Sequence, residues 1–324
     1  MSLRTPICDL FGIEYPIFLA GMGQVAYAEV CAAVSEAGGF GTLGMVGASP
    51  EGIRSEMRAV RARTSKPFGV DLLAALPEQI LASIDVIIEE GASAFIAGLG
   101  VPSAVVKRCH DAGVKVMSMC GKVQHAIRAE QAGCDVVVAQ GTEAGGHTGQ
   151  VAGMALIPQI ADAVRIPVLG AGSIFDGRGL VAALALGAQG AWIGTRFIAS
   201  DEANAASAFK QSIVDAGESD TVITRCYSGK PMRVLRNAYV EEWERTPEEI
   251  QKFPMQLMVS VQNGVAQYVR ESTADPQRTM MPAGQGAGAI REVLPCAEII
   301  RRILHEAQET IDDLAGRNRR EVRA

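Results

Sequence analysis

Residues 141–149 read GTEAGGHTG, with four glycines, one carboxylate (Glu143) and one imidazole (His147) in nine positions. An imidazole titrates near pH 6.5, so it gives or takes a proton at neutral pH. The stretch follows CDVVVAQ (134–140), an apolar run that reads as a buried strand. His147 therefore sits just past a strand end, on glycines that let the backbone lie flat against a planar ligand. The other three histidines, His110, His125 and His305, fall within helical patterns and read as ordinary helix residues. Glu143 reads as an acid/base or, preferably, as an acceptor of loop N–H groups.

Two further glycine-rich turns carry chemistry. GAGSIFDGRG begins at Gly170 and WIGTRF at Trp192, each after an apolar run. Backbone N–H groups at such turns point at anions, and a Cβ would block their approach. Gly172, Ser173, Gly194 and Thr195 are read together as a phosphate cradle. No HExxH, no CxxC, no ligand-spaced cluster of metal-binding residues and no GxSxG elbow accompany it. A phosphate cradle with neither nucleophile nor metal implies that a cofactor carries the hard chemistry.

These turns need a scaffold. Eight short apolar runs fit strands: 17–22, 40–45, 68–74, 94–99, 115–120, 135–140, 167–172 and 190–195. Amphipathic stretches separate them, several ending in Ala-Gly or Leu-Gly, a helix-stop signal. Near-continuous apolar strands suit a parallel sheet covered on both faces. Eight such units in about 200 residues predict an α/β fold of the (β/α)8 TIM-barrel type. A doubly wound sheet would put its phosphate glycines after the first strand; here they follow strands six, seven and eight. Barrel sites form at the carboxyl ends of the strands, which places GMG (21–23), Asp71, Gln140 to His147, GAGS and GTRF on one rim.

The repeat stops after residue 200. Residues 201–282 carry charge clusters and helical patterns and are read as a small, mostly helical inserted domain on the substrate side. Residues 1–200 with 283–324 form the barrel, closed by a long amphipathic last helix from Pro295 and ending in a solvated, frayed tail from Arg317. Tyr227, Met255 and Met258 are candidates for pocket lining or for plain core.

The composition, 48% hydrophobic and 20% charged over 324 residues, allows a large core. A net charge of −6 argues against nucleic acid and anionic membranes as partners. No apolar run reaches the ~18 residues of a membrane span and no signal peptide is evident, so the expectation is a cytoplasmic protein. Seven cysteines, odd in number, read as free buried thiols.

Taken as a set, AQGTEAGGHTG, GAGSIFDGRGLVAALALGAQGAWIGTRF, the opening FGIEYPIFLAGMG, FGVDLL and the late GQGAGAIREVLP resemble the nitronate monooxygenase family, also called 2-nitropropane dioxygenases. The resemblance covers nearly the whole chain. It implies a TIM-like barrel holding non-covalent FMN, with contacts at Gly21, Met22, Asp71, Gln140, Gly145, Gly146, Gly172, Ser173, Trp192, Ile193, Gly194 and Thr195, no metal, and His147 as the catalytic histidine. It implies oxidation of alkyl nitronates with O2 to a carbonyl compound and nitrite, with His147 holding the nitro group or taking a proton and its cationic form attracting the anion. Asp71 stands where the family usually has Asn, and a carboxylate cannot donate as an amide does. Ser173 replaces the second glycine of a usual Gly-Gly pair; its hydroxyl is free to add a phosphate bond. The same loop occurs in flavin-containing enoyl-acyl-carrier-protein reductases and in NADH:quinone reductases, so an NAD(P)H-using reductase is the alternative, and a non-catalytic flavin-binding protein a remote one. The substrate is a small molecule in the main readings. A homodimer is the assembly considered.

Overall fold

A computed structural model describes residues 3–73, 77–98, 100, 103–267, 269–270 and 275–321, with main chain only at 77–79 and 317–321. Leu99 and Ala74, the last residues of two expected strands, lie outside the described residues. Eight parallel strands are present: β1 (Ile17–Leu19), β2 (Gly41–Gly44), β3 (Phe68–Leu73), β4 (Ala94–Gly98), β5 (Lys115–Cys120), β6 (Val136–Gln140), β8 (Val168–Ala171) and β9 (Gly190–Ile193). Their order is β1-β9-β8-β6-β5-β4-β3-β2. The two ends meet at Phe18 and Phe40, where Leu19 N–H donates to Phe40 O (2.9 Å) and Phe40 N–H to Ile17 O (2.9 Å). The sheet is thereby a closed barrel, as expected.

Alternation along the strands sorts the core into two layers. Phe18, Ala94, Ile96, Met117, Val136, Val138, Leu169 and Trp192 form the barrel interior. Helix Pro6–Phe11 adds Ile7 and Phe11 to this interior cluster. The alternate residues, such as Leu19, Val70, Val137 and Ile193, pack outward against the helices. Helix Cys296–Glu321 occupies the slot between helices Gly177–Ala185 and Ala28–Glu36 through Ile299, Ile303 and Ala307. It continues to Glu321, so the described part of the expected frayed tail is helical.

A second hydrophobic cluster lies over one side of the barrel and runs from Ile198 to Ile290 with Val25. Helices Ser207–Asp215, Ala238–Trp243 and Met255–Gln262 fall within this stretch of the chain. An unforeseen element accompanies them. Strands β10 (Thr221–Thr224) and β11 (Met232–Leu235) form a hairpin, and β11 pairs antiparallel with β7 (Gly146–His147). The hairpin thus holds the histidine loop. Tyr227 is core, stacked on Tyr239 at 5.1 Å, whereas Met255 and Met258 are half exposed. All seven cysteines are buried free thiols.

Candidate active site

The ends of β8 and β9 carry the two turns expected to cradle a phosphate. Gly172 takes φ +114° and Ser173 φ +50°, both in the left-handed region. A non-glycine residue is uncommon there and needs local support. Ser173 Oγ supplies it: Gly286 N–H donates to it (2.9 Å), and it donates to Glu143 O (3.3 Å). The hydroxyl expected to add a phosphate bond is therefore engaged by the protein, and the main-chain N–H is what Ser173 offers. Asp176 then caps helix Gly177–Ala185 by accepting from Gly179 N–H (2.9 Å), which fixes where the turn ends. At β9, Thr195 Oγ1 accepts from Gly284 N–H (2.9 Å). Among the described residues, the N–H groups of Gly172, Ser173, Gly194 and Thr195 donate to no protein acceptor. Four undonated amides on neighbouring strand ends fit a phosphate monoester. The residues present therefore fit the phosphate of the cofactor that the family resemblance implies.

The remaining rim residues divide by what they touch. Gly21 lies against Asp71, where a Cβ would collide with the carboxyl group. Met22 sits where all three apolar clusters meet. Trp192 is buried in the barrel interior, and Ile193 turns outward with its carbonyl accepting from Ala20 N–H (2.9 Å). Gly145 is packed under the 283–284 main chain, 2.7 Å from where its Cβ would be, while Gly146 (φ +74°) has open space beside it. Arg196, in GTRF, is buried and donates to Ala199 O and Glu292 O, each at 2.6 Å; burial pushes its pKa down to about 10.

Asp71 is 8% exposed on the inward layer of β3; its main-chain carbonyl accepts from Met45 N–H (3.0 Å), while its carboxyl has no hydrogen-bond partner among the described residues. Burial raises its pKa well above the ordinary carboxylate value. That shift favours the protonated carboxyl, which carries a hydrogen-bond donor as an asparagine amide does.

His147 is set by three groups, two of them local and the third distant in sequence. Gln140 Nε2 donates to His147 O (2.7 Å), so this side chain holds the loop. The Glu143 carboxylate accepts from Gly153 N–H (2.9 and 3.0 Å), the loop-fixing role preferred for it. His147 Nε2 lies 2.9 Å from Ser228 Oγ, which also reaches Lys230 O (3.2 Å) and receives Lys230 N–H (3.3 Å). Ser228 comes from the turn of the β10–β11 hairpin, 81 residues away. Crowding around the ring, and secondarily the Lys230 ammonium, push the His147 pKa below its ordinary value. That direction favours the neutral imidazole, and Lys230 is a cation lining the same cavity. His147, Gln140 and Lys230 line a cavity of about 610 Å³. His125 lines it too, away from the bland helical role expected of it.

Among the described residues no three His, Cys, Asp or Glu are grouped to hold a metal ion, and no helix is long and apolar enough to cross a membrane. Undonated amides at the ends of the seventh and eighth barrel strands, with a hydrogen-bonded histidine on the loop after the sixth, define an α/β barrel of the enzyme type with its candidate site at the strand ends. Comparison with known proteins narrows the class. The nitronate monooxygenase family model matches residues 4–82 and 78–306, and the chain belongs to that family of flavin-dependent oxidoreductases. It is 31% identical to a probable nitronate monooxygenase of Staphylococcus saprophyticus, covering 96% of this chain and 100% of that one. It is 39% identical over 247 residues to a Mycobacterium tuberculosis 5-hydroxy-7a-methyl-1-oxo-octahydro-1H-indene-4-carboxyl-CoA dehydrogenase, covering 75% of this chain and 69% of that one. The structure of FabK from Thermotoga maritima superposes with a TM-score of 0.89 at 37% identity, covering 97% and 99% of the two chains.

Proposed function

We propose that this chain binds FMN and oxidises alkyl nitronates with O2, giving a carbonyl compound and nitrite. The observation that carries the reading is the set of four undonated amides at Gly172, Ser173, Gly194 and Thr195, at the same carboxyl ends of the strands as the loop that carries the hydrogen-bonded His147. The flavin ring, when bound, takes electrons from the substrate and passes them to oxygen. The chain's own residues do the rest. Lys230 supplies the positive potential that draws a nitronate anion toward His147. Neutral His147 accepts the α-proton when a nitroalkane arrives in its uncharged form. Ser228 fixes the ring, and Gln140 with β11 fixes the loop that carries it. The amides cradle the phosphate without a side-chain charge.

A second reading is an NAD(P)H-using reductase, which is favoured by the acid-free cationic cavity beside His147 and by the likeness to FabK, an enoyl-acyl-carrier-protein reductase. The two separate in one experiment. The purified yellow protein is mixed anaerobically with propyl-2-nitronate or with NADPH. Bleaching by the nitronate supports nitronate oxidation; bleaching only by NADPH replaces it with the reductase. A protein that takes up no FMN removes both.

A further inference from the structure

Helix Met255–Gln262 is inside out. The residues it buries completely are Gln256 and Ser260, while Met255, Met258 and Val261 are at least half exposed. Burying a side-chain amide costs free energy unless its polar atoms are paired. Packing alone favours the reverse arrangement, with the apolar side chains turned inward. A glutamine at the buried position 256 therefore calls for a use other than packing.

The contacts of Gln256 supply one. Its Nε2 donates to Cys226 O (2.6 Å), and its Oε1 accepts from Gln251 N–H (3.0 Å). One side chain thus ties the segment before its own helix to the turn between β10 and β11. Gly229, in that turn at φ +81°, packs against the main chain of Gln251 and Phe253; a Cβ there would fall 2.4 Å from Phe253 N. Lys230 rests its ammonium over the Phe253 ring (4.4 Å). Residues 251–256 therefore grip the turn at 226, at 229 and at 230.

Ser228 lies between those points, with its Oγ 2.9 Å from His147 Nε2. The bonds inside the turn, from Ser228 N–H (3.2 Å) and Gly229 N–H (2.8 Å) to Arg225 O, fix its shape. They do not fix its place relative to the histidine loop. That place is set on one side by the pairing of β11 with β7 and on the other by residues 251–256. A hydrogen bond to an imidazole is only as well aimed as the backbone that carries its partner.

We infer that residues 251–256 are a positioning clamp for the active site, with Gln256 at its centre, holding Ser228 and Lys230 in place against His147. Gln256 neither touches His147 nor lines the cavity; it acts through the 226–230 turn. The importance of the clamp for turnover rests on the proposed role of His147, whereas the mechanical link from Gln256 to the imidazole does not.

The test is nitrogen NMR of the flavin-loaded protein labelled at its four histidines, with His147 assigned from the His147→Asn variant. Wild type, Gln256→Met, Ser228→Ala and Gln256→Met/Ser228→Ala are compared. Methionine is of similar length and makes neither bond. Gln256→Met is expected to move the His147 nitrogen shifts most of the way to those of Ser228→Ala, while His110 and His305 keep theirs. The double variant matches Ser228→Ala alone, because the clamp then has no hydroxyl left to aim. Gln256→Asn, which keeps a buried amide but is one methylene short of its partners, is read the same way and serves where the methionine variant does not fold. His147 shifts that stay at their wild-type values in a folded Gln256 variant, or that stay there in Ser228→Ala, overturn the inference; so does a double variant whose changes are the sum of the two single ones. No turnover is read, so a failure of the nitronate reading and a failure of the clamp are told apart.

Discussion

Asp71→Asn isolates the energetic consequence of placing a carboxyl in the barrel mouth. The side chain is 8% exposed, pressed against the Gly21 backbone, and reached by no donor among the described residues. Burial raises its pKa in the folded chain well above the ordinary value. The unfolded chain releases the same proton near pH 4. Between these two pKa values the folded state holds one more proton than the unfolded state, so stability falls as pH rises. The slope is about 1.4 kcal/mol per pH unit, the full effect of one proton, and it levels off above the folded-state pKa. Below both pKa values the contribution is fully present. Asparagine has almost the same shape and no proton to lose, so the substitution removes the slope. Melting curves of the flavin-free protein from pH 4 to pH 8 read it directly. The variant is expected to match the wild type near pH 4 and to gain on it steadily, by roughly 2 °C for each kcal/mol in a chain of this size. FMN affinity should follow the same course, because protonated Asp71 and the amide that replaces it can each donate a hydrogen bond whereas the carboxylate cannot. Melting temperatures that stay parallel across the range would refute the protonated carboxyl.

Three further outcomes are expected. His147→Asn keeps FMN bound but slows anaerobic flavin reduction by a neutral nitroalkane at least tenfold, read by stopped-flow absorbance; the acid limb of the wild-type pH profile falls below the ordinary histidine value, because the His147 pKa is lowered, and an unchanged rate in the variant removes the histidine from the chemistry. Ser228→Ala removes the partner of His147 Nε2 and lowers kcat several-fold with little change in flavin affinity, Ser228→Thr restoring it; equal kcat in all three proteins shows that Ser228 does not position the ring. Gly145→Ala drives a Cβ toward the 283–284 main chain and lowers thermal stability by about 1–3 kcal/mol, with FMN affinity falling because loop 284–286 braces Thr195 and Ser173; an unaffected melting temperature would show that the loop yields freely.

What the chain discloses before folding depends on how far apart the interacting residues lie. The eight barrel strands are legible because each is a short run that packs apolar residues inward and outward, and the closing helix because its apolar spacing spans many turns. The amide cradle is legible because glycine after a strand has few other uses, and both turns lie within 25 residues of each other. The setting of His147 is not. Its strand β7 is two residues long, too short for any periodicity, and its partner β11 begins 85 residues later. Ser228 is one serine among many until the hairpin carries it to the imidazole. The same holds for charge. His125 reads as an ordinary helix residue, and only the folded chain shows that it lines a cavity with Lys122, Arg128 and no carboxylate among the described residues. Asp71 reads as an anion, whereas its burial in the barrel mouth raises its pKa and favours the protonated form. In this barrel the strands and turns that build the rim can be recognised locally, while the protonation states and potentials that decide its chemistry arise from residues brought together only by the inserted hairpin and the barrel closure.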